Sequence, residues 1–323
     1  MLPRLSLGSY KRGSPWRVVW AAGVGGVLTM SLLNLALCTP LLLSLYCESE
    51  CTVMSWRSPV LPENKITISH IREHVLGPAQ RQVAQPITQA ELDEPPWINL
   101  GAWSFVESAV RIIFKHKRGG VFVEVGAGPG VFKSHTAWLE ARRGWSGLLI
   151  EPRSQAYAQL RRRRKAAAAK ACASDFGYSK KDELWSPNGS ARLTQHYRDI
   201  ALARSTLMAY VDDQDKEGST TTPVQCFTLN ALIWAAVGRR RPVDFLVLDT
   251  AGGEYRILET LERVSISVMV VRYSTKIDRT FIIDSAKRFD LVHQPSDQLD
   301  ADRLLFFIKK VSNPKASEKT GNN

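Results

Sequence analysis

The chain has 323 residues, 44% hydrophobic and 23% charged, which excludes wholesale disorder and allows one large domain with extras or two small ones. Its 43 Lys and Arg against 31 Asp and Glu give a formal net charge of +12, a balance that fits nucleic acid, an anionic membrane, an acidic partner or a solvated surface. No zinc-finger spacing or aromatic-interleaved basic stripe accompanies it, so no nucleic-acid partner is expected.

The first 47 residues hold no acid. Arg4, Lys11, Arg12 and Arg17 precede an uncharged run over 18–47. A bilayer core needs roughly 20 apolar residues of helix, and this run exceeds that. It is also longer than the core of a cleavable signal peptide. We read a transmembrane signal anchor at 18–47 behind a cytosolic tail at 1–17, because positive flanks stay cytosolic and Glu48 and Glu50 follow the run. The remainder then lies in the lumen of the endoplasmic reticulum or Golgi. A cleaved signal ending near Cys38 and a mitochondrial inner-membrane anchor are the alternatives.

Residues 48–96 are polar and proline-bearing, with a short helix expected around 68–75, and read as a stalk. Residues 312–323 read as a disordered tail. Of the five cysteines, Cys38 falls within the span, Cys47 at its very end and Cys51 just beyond it. Cys172 and Cys226 belong to the main domain, where they either bond in an oxidising lumen or remain buried thiols. Asn188 opens a glycosylation sequon that matters only on the lumenal side.

From 97 to 311 apolar periodicities alternate. Helices are expected over 104–117, 133–143, 154–165, 229–238 and 255–263. Strands are expected at "VFVEV", "SGLLI", a weak "AKACASD", "VDFLVL" and "SISVMVV", with "FDLVHQ" and "RLLFFIKK" as a closing antiparallel pair. This predicts a mostly parallel, doubly wound α/β sheet of seven strands. Ligands on such sheets sit at the carboxyl ends of the strands, so the residues that end strands carry the information.

The first strand ends in Glu124-x-Gly126-x-Gly128-x-Gly130, where glycines let a tight turn approach a ligand and present N–H groups. A dinucleotide fingerprint would need its third glycine one residue later. The spacing instead resembles the S-adenosylmethionine loop of Rossmann-like methyltransferases, with Glu124 facing the ligand's ammonium group. Glu151 ends the next strand, where an acid can accept from both ribose hydroxyls or merely cap a surface turn. Asp175 follows the weak strand, in reach of an adenine amino group or serving as a plain turn. Asp249 ends the fourth strand, with Glu254 beyond it. Such acids can hold a metal, position an acceptor hydroxyl, act as a base or cap the next helix; no metal site is assigned. His135 is a second acid–base candidate, although a helix-start surface position is the simpler reading. The basic runs 161–165 and 239–241 read as solvated.

The segments "VFVEVGAGPGVFKSHTAWLEARRGWSGLLIEP", "KACASD", "PVQCFTLNALI" and "VDFLVLDTAGGEYRIL" together resemble the FkbM-type methyltransferase domain, most closely its animal Star-like membrane branch. The resemblance implies a Rossmann-like fold and S-adenosyl-L-methionine-dependent O-methylation, often of a sugar hydroxyl. It implies Glu124, Gly126, Gly128, Gly130, Glu151 and Asp175 as cofactor-binding residues and Asp249 and Glu254 as catalytic ones. Star-like members are single-pass membrane proteins implicated in endoplasmic reticulum export of growth-factor precursors. The chain departs from the family where D-x-E-G-x-E becomes Asp249-Thr-Ala251-Gly-Gly-Glu254, where an Asn becomes His135, and where Gly128-Pro129 replaces an Asn- or Asp-bearing turn. Loss of the middle acid makes a weakened or non-catalytic copy the alternative.

Overall fold

The structure, a computed structural model, describes residues 64–93, 95, 97, 103–187, 193–216, 219–293 and 303–310. The expected span at 18–47, the tail at 1–17, Cys38, Cys47, Cys51, the sequon at Asn188 and residues 312–323 lie outside them. Among the described residues no helix is long and apolar enough to cross a membrane.

β2 (Val121–Val125) and β9 (Val243–Leu248) are buried at every position. That is why both read as unbroken apolar runs: central parallel strands are covered on both faces. They pair parallel with each other, β2 also with β3 (Ser146–Ile150), and β9 with β10 (Ile266–Arg272). β4 (Ala167–Ala169) runs parallel beside β3, and β1 (Leu76–Gly77) pairs antiparallel with β4. At the far side β12 (Leu304–Lys309) lies antiparallel between β10 and β11 (Phe289–His293). The order β1-β4-β3-β2-β9-β10-β12-β11 contains the expected strands except the weak one, of which only Ala169 falls in β4, with β1 added at one edge.

Among the described residues the α-helices are α1 (Lys65–His70), α2 (Gln89–Asp93), α3 (Trp103–Ile113), α4 (Ala137–Arg143), α5 (Ser154–Arg163), α6 (Gln195–Leu202), α7 (Leu229–Ala236), α8 (Glu254–Glu259) and α9 (Lys276–Ser285). Val106 and Val110 of α3, Leu139 of α4 and Leu160 of α5 share one core with Phe122, Leu149, Phe245 and Phe306 of the sheet. Full burial of such a side chain contributes about 1.5–3 kcal/mol.

Residues 64–93, inside the segment expected as a stalk, are built onto this body. α1 continues into a π-helical turn at Ile71–Val75, from which Arg72 donates to the carbonyls of Ala235 (3.1 Å) and Trp234 (3.2 Å). This second layer explains why Leu229–Ala235 of α7 is buried on every side. The backbone N–H groups of Gln80 and Gln85 donate to the carbonyls of Lys165 and Arg162 (2.7 and 2.9 Å), and β1 covers the open edge of β4.

The weak strand divides in two. β4 joins the main sheet, while β5 (Cys172–Ala173) starts a second one with β6 (Lys180–Pro187), β7 (Thr206–Leu207) and β8 (Ser219–Phe227), in the order β5-β8-β6-β7. Cys172 and Cys226 are register partners on β5 and β8 and are disulfide-bonded. The bond closes a loop spanning 54 residues. Loop-closure entropy predicts that reduction, or the C172A/C226A double change, lowers unfolding free energy by about 4 kcal/mol, read as a lower urea midpoint.

Candidate active site

The chain reverses its direction across the sheet between β2 and β9, and a crevice opens there beyond the strand ends. The glycine turn is pinned to both neighbours. The N–H groups of Gly126 and Ala127 share the Ile150 carbonyl at 3.0 Å, and Asp249 N–H donates to Val125 O at 3.0 Å. A Cβ on Gly126 would fall 1.8 Å from Asp249 O, and one on Gly130 would meet Arg164 Cγ at 2.9 Å. These two glycines serve close packing within the fold. Gly128 alone faces open space, with Arg153 Nη2 the nearest atom to a hypothetical Cβ at 3.8 Å. Its N–H donates to Glu151 Oε2 at 2.8 Å. Glu151 Oε1 accepts from Arg153 N–H (2.9 Å) and Nε–H (2.8 Å). Glu151 is buried at the cleft wall, fixed in orientation, with carboxylate lone pairs to spare.

Glu124 is also buried and lines the cleft. Its Oε2 accepts from Ser134 Oγ at 2.8 Å and, in a short contact, from Thr136 Oγ1. Arg164 Nη1 lies 3.7 Å from the same oxygen. Arg164 was expected on a solvated run, yet it is fully buried. It donates to Gly130 O (2.7 Å), Ser134 Oγ (3.1 Å) and Thr136 Oγ1 (2.8 Å), sits 3.3 Å from Glu140 Oε2, and lies over the Phe122 ring. Its neighbours on the run are also engaged: Arg163 pairs with Glu91 at 2.7 Å, and Arg161 donates to Gly77 O at 3.3 Å.

The second sheet roofs the crevice, leaving about 1020 Å³ of empty space, open mouth included. Asp175 lines it, buried, accepting from Tyr210 OH at 2.6 Å and pairing with Lys180 Nζ at 2.6 Å. Burial and then the Asp175 carboxylate push the Tyr210 hydroxyl up, which keeps it a neutral donor. Burial works against the Lys180 charge, but the hydrogen bonds to Asp175 and Asp182 outweigh it and raise its pKa. The Tyr210 side chain rests on the turn after β9, its Cβ 2.6 Å from where a Gly252 Cβ would be and its ring 2.6 Å from where a Gly253 Cβ would be. Tyr210 lies in a segment without a motif, and Arg153 and Arg272 follow or end expected strands at positions whose residue type alone does not mark a site.

Asp249 lines the cleft at the β9 end and pairs with Arg272 Nη1 at 2.7 Å. Glu254, expected beside it as a second acid facing the acceptor, turns away. Its Oε1 accepts from the N–H groups of Thr250 (2.9 Å) and Gly252 (3.2 Å), so it braces its own turn. Ala251 holds φ +59°, a left-handed conformation that costs a non-glycine residue about 1 kcal/mol. His135, expected at the surface, is buried and lines the cleft. Among the described residues no group of three or more His, Cys, Asp and Glu is placed to hold a metal ion.

Burial, with the nearby Asp249 charge, raises the Glu254 pKa to about 7. The unfolded chain therefore gives up this proton near pH 4.5 while the folded chain keeps it to about 7. Stability should fall by about 3 kcal/mol across that window. Glu254→Gln keeps the accepting oxygen and should flatten this part of the pH–stability curve, measured by urea unfolding from pH 4 to 8.

Sheet order, glycine turn and strand-end acid together define a Rossmann-like methyltransferase fold. A family model described as the methyltransferase FkbM domain matches residues 124–300, more than half of the chain. The chain belongs to that family. Solved structures that it resembles include an Aeropyrum pernix fibrillarin with natively bound S-adenosyl-L-methionine (11% identity, 64% of this chain and 76% of that one, TM-score 0.33). Another is the human methyltransferase 10 domain containing protein (10% identity, 76% and 94%, TM-score 0.31). No curated protein matches.

Proposed function

We propose that the chain is a membrane-anchored, S-adenosyl-L-methionine-dependent O-methyltransferase of the FkbM type, acting on a hydroxyl-bearing acceptor such as a sugar or protein. The observation that carries this reading is the Gly128 N–H to Glu151 contact at the cleft rim, which joins an open glycine to a fixed, buried carboxylate. Glu151 takes the ribose hydroxyls with its remaining lone pairs. Glu124 has its contacts on Oε2, which leaves Oε1 for the ammonium of the methionine end. Asp175, shared with Tyr210 and Lys180, takes the adenine amino group. Gly126 and Gly130 set the turn's shape. The bound cofactor supplies an electrophilic methyl group, and Asp249, steadied by Arg272, positions the acceptor hydroxyl toward it. Glu254 supports that loop from behind.

The disulfide supports an oxidising compartment and hence a lumenal domain. On this reading 18–47 is the single span in the endoplasmic reticulum or Golgi membrane, with the N-terminus cytosolic. The mitochondrial inner membrane is the alternative. A glycosidase-sensitive mobility shift that disappears in Asn188→Gln is expected; an unglycosylated domain protected only inside mitochondria overturns the lumenal assignment.

One observation favours a second reading. Ala251 stands where the resemblance leads one to expect an acid, which suits a non-catalytic, Star-like factor assisting export of growth-factor precursors. Titration with S-adenosylhomocysteine in a calorimeter tests the first. Wild-type chain should bind, and Glu151→Ala should weaken binding at least about tenfold, the loss expected for charge-assisted hydrogen bonds, in a chain whose urea transition shows it to be folded under the assay conditions. A folded wild-type chain that binds none ends the enzyme reading.

A further inference from the structure

Removing the acceptor proton is the step for which the cleft's acids are poorly arranged. Asp249 is held by Arg272, Glu254 faces its own turn, and position 251 carries a methyl group. His135 remains. The structure assigns it as the general base, with Glu107 as its positioning residue, an inference that rests on the cofactor reading above.

The imidazole is 4% exposed yet lines the cofactor cleft. Trp103 holds it by stacking, with centroids 5.9 Å apart and planes 19° from parallel. Its Nδ1 lies 3.9 Å from Glu107 Oε2, and neither atom has a hydrogen-bond partner. Glu107 is buried on α3, and its Oε1 is fixed by Arg111 Nε at 2.9 Å. Arg111 is anchored in turn on Leu92 O at 2.6 Å. The carboxylate is therefore aimed at the imidazole, about 1 Å beyond hydrogen-bond range, the looseness expected before a ligand tightens a site. With Nδ1 turned to Glu107, Nε2 is left to the cleft. The charged groups around it are Glu107 and Arg111 of α3, Glu124 of β2, Lys133 of its own turn, and Asp249 and Arg272 on the same cleft walls.

The step balances as follows. The acceptor oxygen forms its C–O bond as the methyl C–S bond breaks, the hydroxyl proton passes to His135 Nε2, and S-adenosylhomocysteine and the methyl ether leave. The imidazolium, stabilised by Glu107, then returns its proton to solvent. A histidine in this position replaces the asparagine that the family resemblance leads one to expect, so this chain gains a base on one wall of the cleft where it lacks an acid on another.

Diethyl pyrocarbonate, which acylates accessible neutral imidazoles, tests the placement on the full chain in detergent, read by peptide mass spectrometry. His135 should label, and saturating S-adenosylhomocysteine should slow its labelling at least tenfold. An unreactive His135, or labelling that the nucleoside does not slow although calorimetry shows that it binds, overturns the inference and leaves the cofactor reading standing. No nucleoside binding at all sinks both. Transfer of tritiated methyl to a panel of hexose methyl glycosides tests the chemistry. His135→Gln should lower kcat about 100-fold or more, at unchanged S-adenosylhomocysteine affinity, and abolish the acid limb of the pH–rate profile. Glu107→Gln should lower kcat with KM unchanged. Undiminished turnover in His135→Gln overturns the assignment.

Discussion

A single guanidinium holds the ligand-facing end of this fold in place. Arg164 has no exposed surface, and its partners are the Gly130 carbonyl, two hydroxyls and two carboxylates, those of Glu124 and Glu140. Removing one member of such a buried cluster strands the others and costs about 3–5 kcal/mol. Arg164 follows α5, Gly130 ends the turn after β2, and Thr136 precedes α4. The cation therefore ties together the pieces that shape the turn. Glu124 takes part through one oxygen, so the same residue steadies the fold and offers its other oxygen to the cleft.

The cleft has a floor and a roof of different origin. The floor consists of strand ends and turns of the main sheet, stitched together by backbone hydrogen bonds at about 3 Å. The roof is the smaller sheet, in which the disulfide joins β5 to β8 and Asp175 is held by Tyr210 and Lys180. A rigid floor suits a nucleoside that must always bind in one pose. Family membership rests on the stretch that contains both floor and roof.

Much of the floor was legible in the sequence. The strands are long apolar runs because both faces are covered, and the acids that end them announce the ligand side. What stayed hidden was hidden for physical reasons. Arg164 sits in a run of basic residues whose usual fate is solvent, and nothing local distinguishes the one cation that turns inward. Residues 64–93 read as a stalk because their buried apolar anchors are few, Ile68, Ile71 and Leu92, and the rest of the segment docks through backbone hydrogen bonds and Arg72. The second sheet is rich in Lys, Thr and Ser and half exposed along its length, so periodicity gave no signal. His135 and Glu254 were assigned the wrong surroundings because sequence spacing does not fix which way a side chain turns at a helix start. One element was readable and missed: α9 opens on a capping box of Thr275 and Asp278.

The ring of Tyr210 lies against Gly252 and Gly253 while its hydroxyl reaches Asp175. One phenol thus serves as a keystone between the Asp175 end of the crevice and the loop that follows Asp249. A shift at either end must pass through it, and a bulkier residue at either glycine would lift the arch and open both ends together.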